Sequence, residues 1–185
     1  MPLSVEQIRQ AVRFSDGVPI EPLEAAVQLE NQLNLDLPDT LKQIHSLGGG
    51  AYLRDIRCHK QPYGHPTESC DLFALVTNPF EYYSTDVFRA YQMMLSGLGK
   101  SREVFRRVVP FGGDGGGGDY CLDYRVSDTP TVTKFYDGHY DLLARSFDEF
   151  VDRANPERRI YWESYASRIS AQEEQDLLGV LPDYW

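Results

Sequence analysis

Residues 104–126, VFRRVVPFGGDGGGGDYCLDYRV, carry the reading from which the rest follows. Val104 to Phe111 reads as a strand, and Gly112 to Gly118 must be a loop, because glycine loses more backbone freedom on ordering than any other residue. A second strand then follows, with Tyr120, Leu122, Tyr124 and Val126 facing one way and Asp119, Cys121, Asp123 and Arg125 the other. Gly113-x-Gly115-x-x-Gly118 matches the dinucleotide fingerprint in letters only, since that motif ends a strand and opens a helix whose amides face a pyrophosphate. Here a strand comes next, Asp114 and Asp119 would repel phosphate, and no Lys-Ser or Lys-Thr completes a P-loop. The glycines are expected to be a flexible connection between strands.

Towards the C terminus, Val132 to Tyr136 is a strand, and Asp137-Gly138 has the composition that closes a tight hairpin into Tyr140 to Leu143. Ser146-Phe147-Asp148-Glu149 is a capping box, with Phe147, Phe150 and Val151 as the inward stripe of its helix. Beyond Pro156, Trp162, Tyr165, Ala166 and Ile169 share one helical face, and Ser170 to Glu173 can cap one more short helix. Towards the N terminus, a helix bearing Val87, Phe88, Tyr91, Met94, Leu95 and Leu98 ends at Gly97 and Gly99. Ala51 to Thr77 is strand-like, with Leu72 to Val76 the clearest buried run and a loop holding Pro62, Gly64 and Pro66. Leu37, Leu41, Ile44 and Leu47 mark a helix that Gly48-Gly49-Gly50 is expected to stop with a left-handed cap. Its antiparallel partner starts at Pro22 with Leu23, Ala26, Val27 and Leu33 on one side. Ser4-Val5-Glu6-Gln7 is another capping box, opening a first helix expected to run to about Phe14.

With 185 residues, 42% of them hydrophobic, the chain can fill one core. The expected organisation is a single domain over 1–185, with a central part at about 20–153 and the helix at 4–14 and a helical tail at 157–185 packed on it. The start lacks a basic region followed by an apolar run, and no stretch is apolar enough to cross a bilayer, so a cytoplasmic location is expected. Cys58, Cys70 and Cys121 are an odd set without C-x-x-C spacing, which favours reduced thiols over a disulfide framework. Against 18 Lys plus Arg stand 28 Asp plus Glu, a net charge of -10. That field repels nucleic-acid backbones and anionic lipid and speeds encounter with basic proteins.

The order of motifs resembles the SUKH superfamily (Smi/Knr-like). Leu29, Leu33, Leu35, Leu37-Pro38 and Leu41, then Ile44, Leu47 and Gly48-Gly49, are similar to that family's opening helix, Leu-Pro turn, second helix and glycine turn. Family members usually carry Asn-Gly at that turn, where Gly48-Gly49 stands here. Val109-Pro110-Phe111 with its Gly-Asp loop, Gly118-Asp119-Tyr120-Cys121-Leu122-Asp123, and Leu143 to Phe150 are similar to its closing strands and its Ser-Phe-x-x-Phe helix. The resemblance implies an α+β fold, a mixed, mainly antiparallel sheet flanked by helices, to which this chain adds a helical C-terminal extension. It also implies a protein-binding role. Many bacterial members are similar to immunity proteins that neutralise a cognate toxin, often a nuclease, and fungal relatives are regulatory scaffolds.

Residue chemistry agrees with binding rather than catalysis. Asp114, Asp119 and Asp123 fit neither an EF-hand nor a calcium β-roll period, and Cys58, His59, His65 and Cys70 do not make two close ligand pairs for zinc. His45 and His139 have no G-x-S-x-G elbow or Cys-His dyad to serve, so no catalytic residue, metal or cofactor is expected. The expected contact residues are the loop-borne carboxylates Asp114, Asp119 and Glu81 and the loop tyrosines Tyr82, Tyr83 and Tyr63, because tyrosine offers large contact area at little entropy cost. The leading expectation is an immunity protein that covers a basic toxin domain. A regulatory module with an endogenous partner is the alternative, and a metal-dependent hydrolase using the aspartates is third.

Overall fold

The computed structural model describes residues 2–57, 67–75, 86–136, 139–165 and 169–181. The chain opens with helix α1 (Val5–Ala11), strand β1 (Val12–Arg13), helices α2 (Leu23–Leu33) and α3 (Asp39–Leu47), and strands β2 (Tyr52–Arg57) and β3 (Thr67–Leu72). Helix α4 (Val87–Gly97) runs into a 3-10 helix at Gly99–Glu103, followed by strands β4 (Val108–Gly113), β5 (Asp119–Asp123), β6 (Thr131–Tyr136) and β7 (His139–Ala144). Helix α5 (Phe147–Asp152), a 3-10 helix at Pro156–Arg158, and helices α6 (Arg159–Tyr165) and α7 (Ala171–Leu178) complete it. The fold is α+β. Among the described residues seven strands lie in sequence order, each antiparallel to the next, and the parallel pairing is an isolated bridge between Ala74 and Asp86.

The sheet is covered on both faces. One core joins Ile8 of α1, Ala25, Ala26 and Leu29 of α2, Leu41 and Ile44 of α3 and Phe147, Phe150 and Val151 of α5 to Val109, Phe111, Tyr120, Leu122 and Tyr124 of the β4–β5 region. A second joins Met94 and Leu95 of α4 and Leu178 of α7 to Val108, Cys121, Tyr140 and Leu142. The expected alternation of β5 therefore separates two buried faces rather than an inner from an outer one, and Val126, beyond the strand, is 52% exposed. In the first core, the Phe111 ring meets Phe147 at 5.2 Å and Phe150 at 5.6 Å, both edge-on, while Tyr120 lies 5.6 Å from Phe150. Such pairs add about 0.5–1.5 kcal/mol each beyond the area they bury. These rings are where the Val-Pro-Phe strand, the Gly-Asp-Tyr strand and the Ser-Phe-x-x-Phe helix meet.

Several boundaries differ from the sequence reading. Helix α1 stops at Ala11, because Val12 and Arg13 pair with Leu53 and Tyr52 as the edge strand. Helix α2 turns Ala25, Ala26 and Leu29 inward and leaves Leu23 and Val27 59% and 50% exposed, since small residues let its backbone approach the core closely. Gly48 is extended, and the left-handed residue of that turn is Gly50 at φ 58°. What requires glycine there is close approach: a Cβ on Gly49 would sit 2.2 Å from the Pro19 carbonyl oxygen. Strand β3 ends at Leu72 rather than running to Val76, and β4 starts at Val108 and takes Gly112 and Gly113 into the ladder, leaving 114–118 as the loop. An extra residue in β4 between Pro110 and Gly112 forms a bulge, the place where a strand tolerates a proline without an N–H. Tyr136 pairs with His139, while Asp137 and Gly138 lie outside the described residues. The Ser4 and Ser146 caps form as the spacing predicts, with Ser170 capping α7 likewise. The tail is two helices, with Ile169 lying between them.

The tail is tied down chemically. Trp162 is buried and its Nε1 donates to Asp152 Oδ2 at 3.0 Å. Arg145 Nε donates to Glu173 Oε1 at 2.6 Å, and Arg125 Nη2 donates to the Leu178 carbonyl at 2.8 Å while gripping the buried Asp123 carboxylate. Among the described residues no helix is long and apolar enough to cross a membrane.

Candidate functional site

The glycine loop is organised by Asp114. Its Oδ1 accepts from the amides of Gly116 at 2.7 Å and Gly118 at 2.9 Å, and its Oδ2 lies 2.9 Å from Lys134 Nζ. Lys134 pairs across the ladder with Tyr120 and is only 1% exposed. Its ammonium also meets Glu68 Oε2 at 2.6 Å, and the Tyr120 hydroxyl donates between that oxygen and the Ser69 carbonyl, 2.7 Å from each. A Cβ on Gly118 would stand 2.6 Å from Asp114 Oδ2 and 2.7 Å from Lys134 Cε, so a larger residue there would have to push this pair aside. Burial alone would raise the Asp114 carboxyl, but the Lys134 hydrogen bond, the two amides and the Lys134 charge outweigh it and hold it below the usual range. Asp119 has the opposite balance: burial first, then the charge of Asp114, pushes its carboxyl up to about 6. Asp114 is thus committed internally, and Asp119 is half-buried at the root of the loop. Glu81, Tyr82, Tyr83 and Tyr63 lie outside the described residues.

A second acidic feature lies past the other end of β5. Asp36, Asp39, Asp128 and Asp148 line a cleft of about 530 Å³ whose walls include Leu37, Pro38, Pro130 and Phe147. The Tyr124 hydroxyl donates to the Asp36 carbonyl at 2.7 Å and so ties the Leu-Pro turn to the sheet. Lys42, the cleft's one cation, is shared between Glu30 at 3.1 Å and Asp39 at 3.0 Å. Asp128 meets Arg107 at 2.6 Å with its side chain almost fully exposed, and Asp148 accepts from the Thr40 hydroxyl at 2.5 Å. Asp36 is exposed and among the described residues makes no ion pair. An acidic cleft with an apolar floor suits a basic, partly apolar protein segment. Its members come from three segments far apart in sequence, so no local pattern reveals them. The one available hint is the pair of aspartates bracketing Leu37-Pro38, in a turn that must reach the surface.

Among the described residues neither cysteine is exposed, and Cys58, His59 and His65 lie outside them. The thiols of Cys70 and Cys121 are fully buried and burial pushes both well up, which keeps them protonated. His45 Nδ1 is 2.6 Å from Glu21 Oε2, whose carboxylate also accepts from the Leu75 amide, so it fastens α3 to the segment after β3. Among the described residues no group of three His, Cys, Asp or Glu side chains is placed to hold a metal ion.

Residues 23–153 match the SMI1/KNR4 family (SUKH-1), while neither a curated protein nor a solved structure matches the chain. The matched span starts with the first residue of α2, ends one residue past α5, and contains the aromatic cluster, the Lys134 network and all of the cleft but Pro2. Because it covers more than two thirds of the sequence and takes in the three motifs that converge in the first core, the chain belongs to the SMI1/KNR4 family (SUKH-1).

Proposed function

We propose that this protein is a cytoplasmic immunity protein that neutralises a cognate toxin, such as a nuclease, by binding a basic domain of it, and that it catalyses nothing. The observation that carries the reading is the distribution of carboxylates. On a chain of net charge -10, the described acids not consumed by internal pairs include Asp36, which together with the exposed Asp128 opens a cleft floored by apolar side chains. Charge of that sign steers a basic partner, and the apolar floor supplies contact area once it has docked. We assign the cleft as the primary contact and keep Asp119, Asp114, Glu81, Tyr82, Tyr83 and Tyr63 as a second contact set. The deciding experiment is a pull-down against the product of the adjacent upstream gene, followed by rescue of its toxicity in cells. Binding with rescue supports immunity. A product that neither binds nor is toxic removes that assignment and leaves a regulatory module with an endogenous partner, which the same fold supports.

A further inference from the structure

On this acidic chain one pocket has the opposite sign. A cavity of about 450 Å³ is lined by Arg13, Arg54, Arg57, Arg153 and Arg159, with Asp55 the one acid among its lining residues. Three of the guanidinium groups are already engaged. Arg153 is held by Glu149 and the Arg57 carbonyl, and Glu163 serves Arg57 at 3.7 Å and Arg159 at 2.9 Å. Arg13 and Arg54 are exposed and differently placed. Arg13 reaches only the Arg9 and Gln10 carbonyls, Arg54 lies over the Tyr52 ring at 5.1 Å, and among the described residues neither meets a carboxylate.

The pocket is built by irregular backbone. In β2, Leu53 pairs with Cys70 but Ile56 with Glu68, so one extra residue is inserted, and Asp55 takes a left-handed φ of 55°. This bulge brings Arg54, Asp55 and Arg57 to the lining, opposite the end of α1 and the turn after α5. Arg13 precedes the family match and Arg159 follows it, so the flanks of this particular chain complete the site. The net charge of the chain does not forbid an anion here. At physiological salt the screening length is about 8 Å, so the local guanidinium groups outweigh distant carboxylates.

We propose that this pocket binds a small multivalent oxyanion, a molecule carrying phosphate or carboxylate groups, held by Arg13 and Arg54 with Arg57 and Arg159 behind them. Guanidinium forks match the paired oxygens of both groups. The site goes beyond the proposed protein-binding function, uses a surface of opposite charge and needs no partner protein to be tested. Calorimetric titration of the full chain with sodium pyrophosphate and with citrate, each against sodium chloride of equal ionic strength, reads it directly. We expect saturable binding of at least one anion, weakened about tenfold or more in R13A/R54A and unchanged in R106A, which alters an exposed arginine elsewhere. Tighter pyrophosphate binding assigns phosphate, and tighter citrate binding assigns carboxylate. R54Q alone, which removes the charge and keeps a polar side chain, provides the same comparison should the double variant fail to fold. Absence of saturable heat above the salt control, or Arg54 variants that bind like the parent, overturns the proposal.

Discussion

Lys134 Nζ stands 2.6 Å from Glu68 Oε2 with 2% of the lysine side chain exposed, so β6 and β3, which have two strands between them in the sheet order, are joined by a buried ion pair. Removing one partner leaves a buried charge uncompensated, which costs more than the pair itself contributes. Lys134→Ala is expected to destabilise the fold by about 3 kcal/mol or more, while Lys134→Met combined with Glu68→Leu and Asp114→Asn, which leaves no carboxylate facing the lysine's place, costs clearly less. Urea denaturation of the parent, the single and the triple variant measures this, and equal losses in the two variants would refute it.

Asp119 makes stability depend on pH in an unusual direction. Its carboxyl is raised from 3.8 to about 6 in the folded state, so between those values the folded protein binds the proton that the unfolded chain releases. Stability contributed by this group is therefore complete below about 4 and lost as pH rises through 6. Asp119→Asn should match the parent at pH 4 and exceed it at pH 7, by about 1 kcal/mol after allowance for solvent screening. Denaturation midpoints across that interval test the sign.

The tail is expected to unfold with the rest of the chain. Leu178 is 7% exposed in the second core, and Arg125 ties its carbonyl to the sheet. Leu178→Ala should cost about 2 kcal/mol, and calorimetry of the parent should show a single transition. A separate transition that moves alone in the Leu178 variant would make the tail an independent unit.

With a toxin in hand, Asp36→Lys and Asp128→Lys should slow association several-fold at low salt and change dissociation little, as expected of rim charges. Truncating Tyr82 or Tyr83, if they anchor the second contact set, should cost about 2 kcal/mol and act on dissociation. Surface plasmon resonance at two salt concentrations separates the effects. Cleft reversals without effect on the on-rate would shift the contact to the glycine-loop end.

Local signals account for most elements. Ser4, Ser146 and Ser170 fix helix starts by satisfying amides within three residues, and the Tyr120–Cys121–Leu122 alternation fixes strand faces, all within reach of a short window. What the window misses is set by distant partners. The alternation separates the two faces of β5 but not what covers each, because α4 and α7, which bury Cys121, are far from it in the chain. Asp114 reads as a surface carboxylate until Lys134, twenty residues on, is seen to claim it. The cleft acids and the arginine pocket likewise exist only after three segments converge.

The strand order has a consequence for synthesis. Neighbour-to-neighbour pairing keeps contact order low within the sheet, so its hairpins can form as soon as they appear. Phe111 and Tyr120, however, have no aromatic lid until Phe147 and Phe150 arrive, and the second core, begun by Met94, Leu95 and Phe105, is completed by Leu178. A growing chain therefore carries a sheet whose first face stays open until α5 is made and whose second is closed by α7, an aggregation-exposed interval during synthesis.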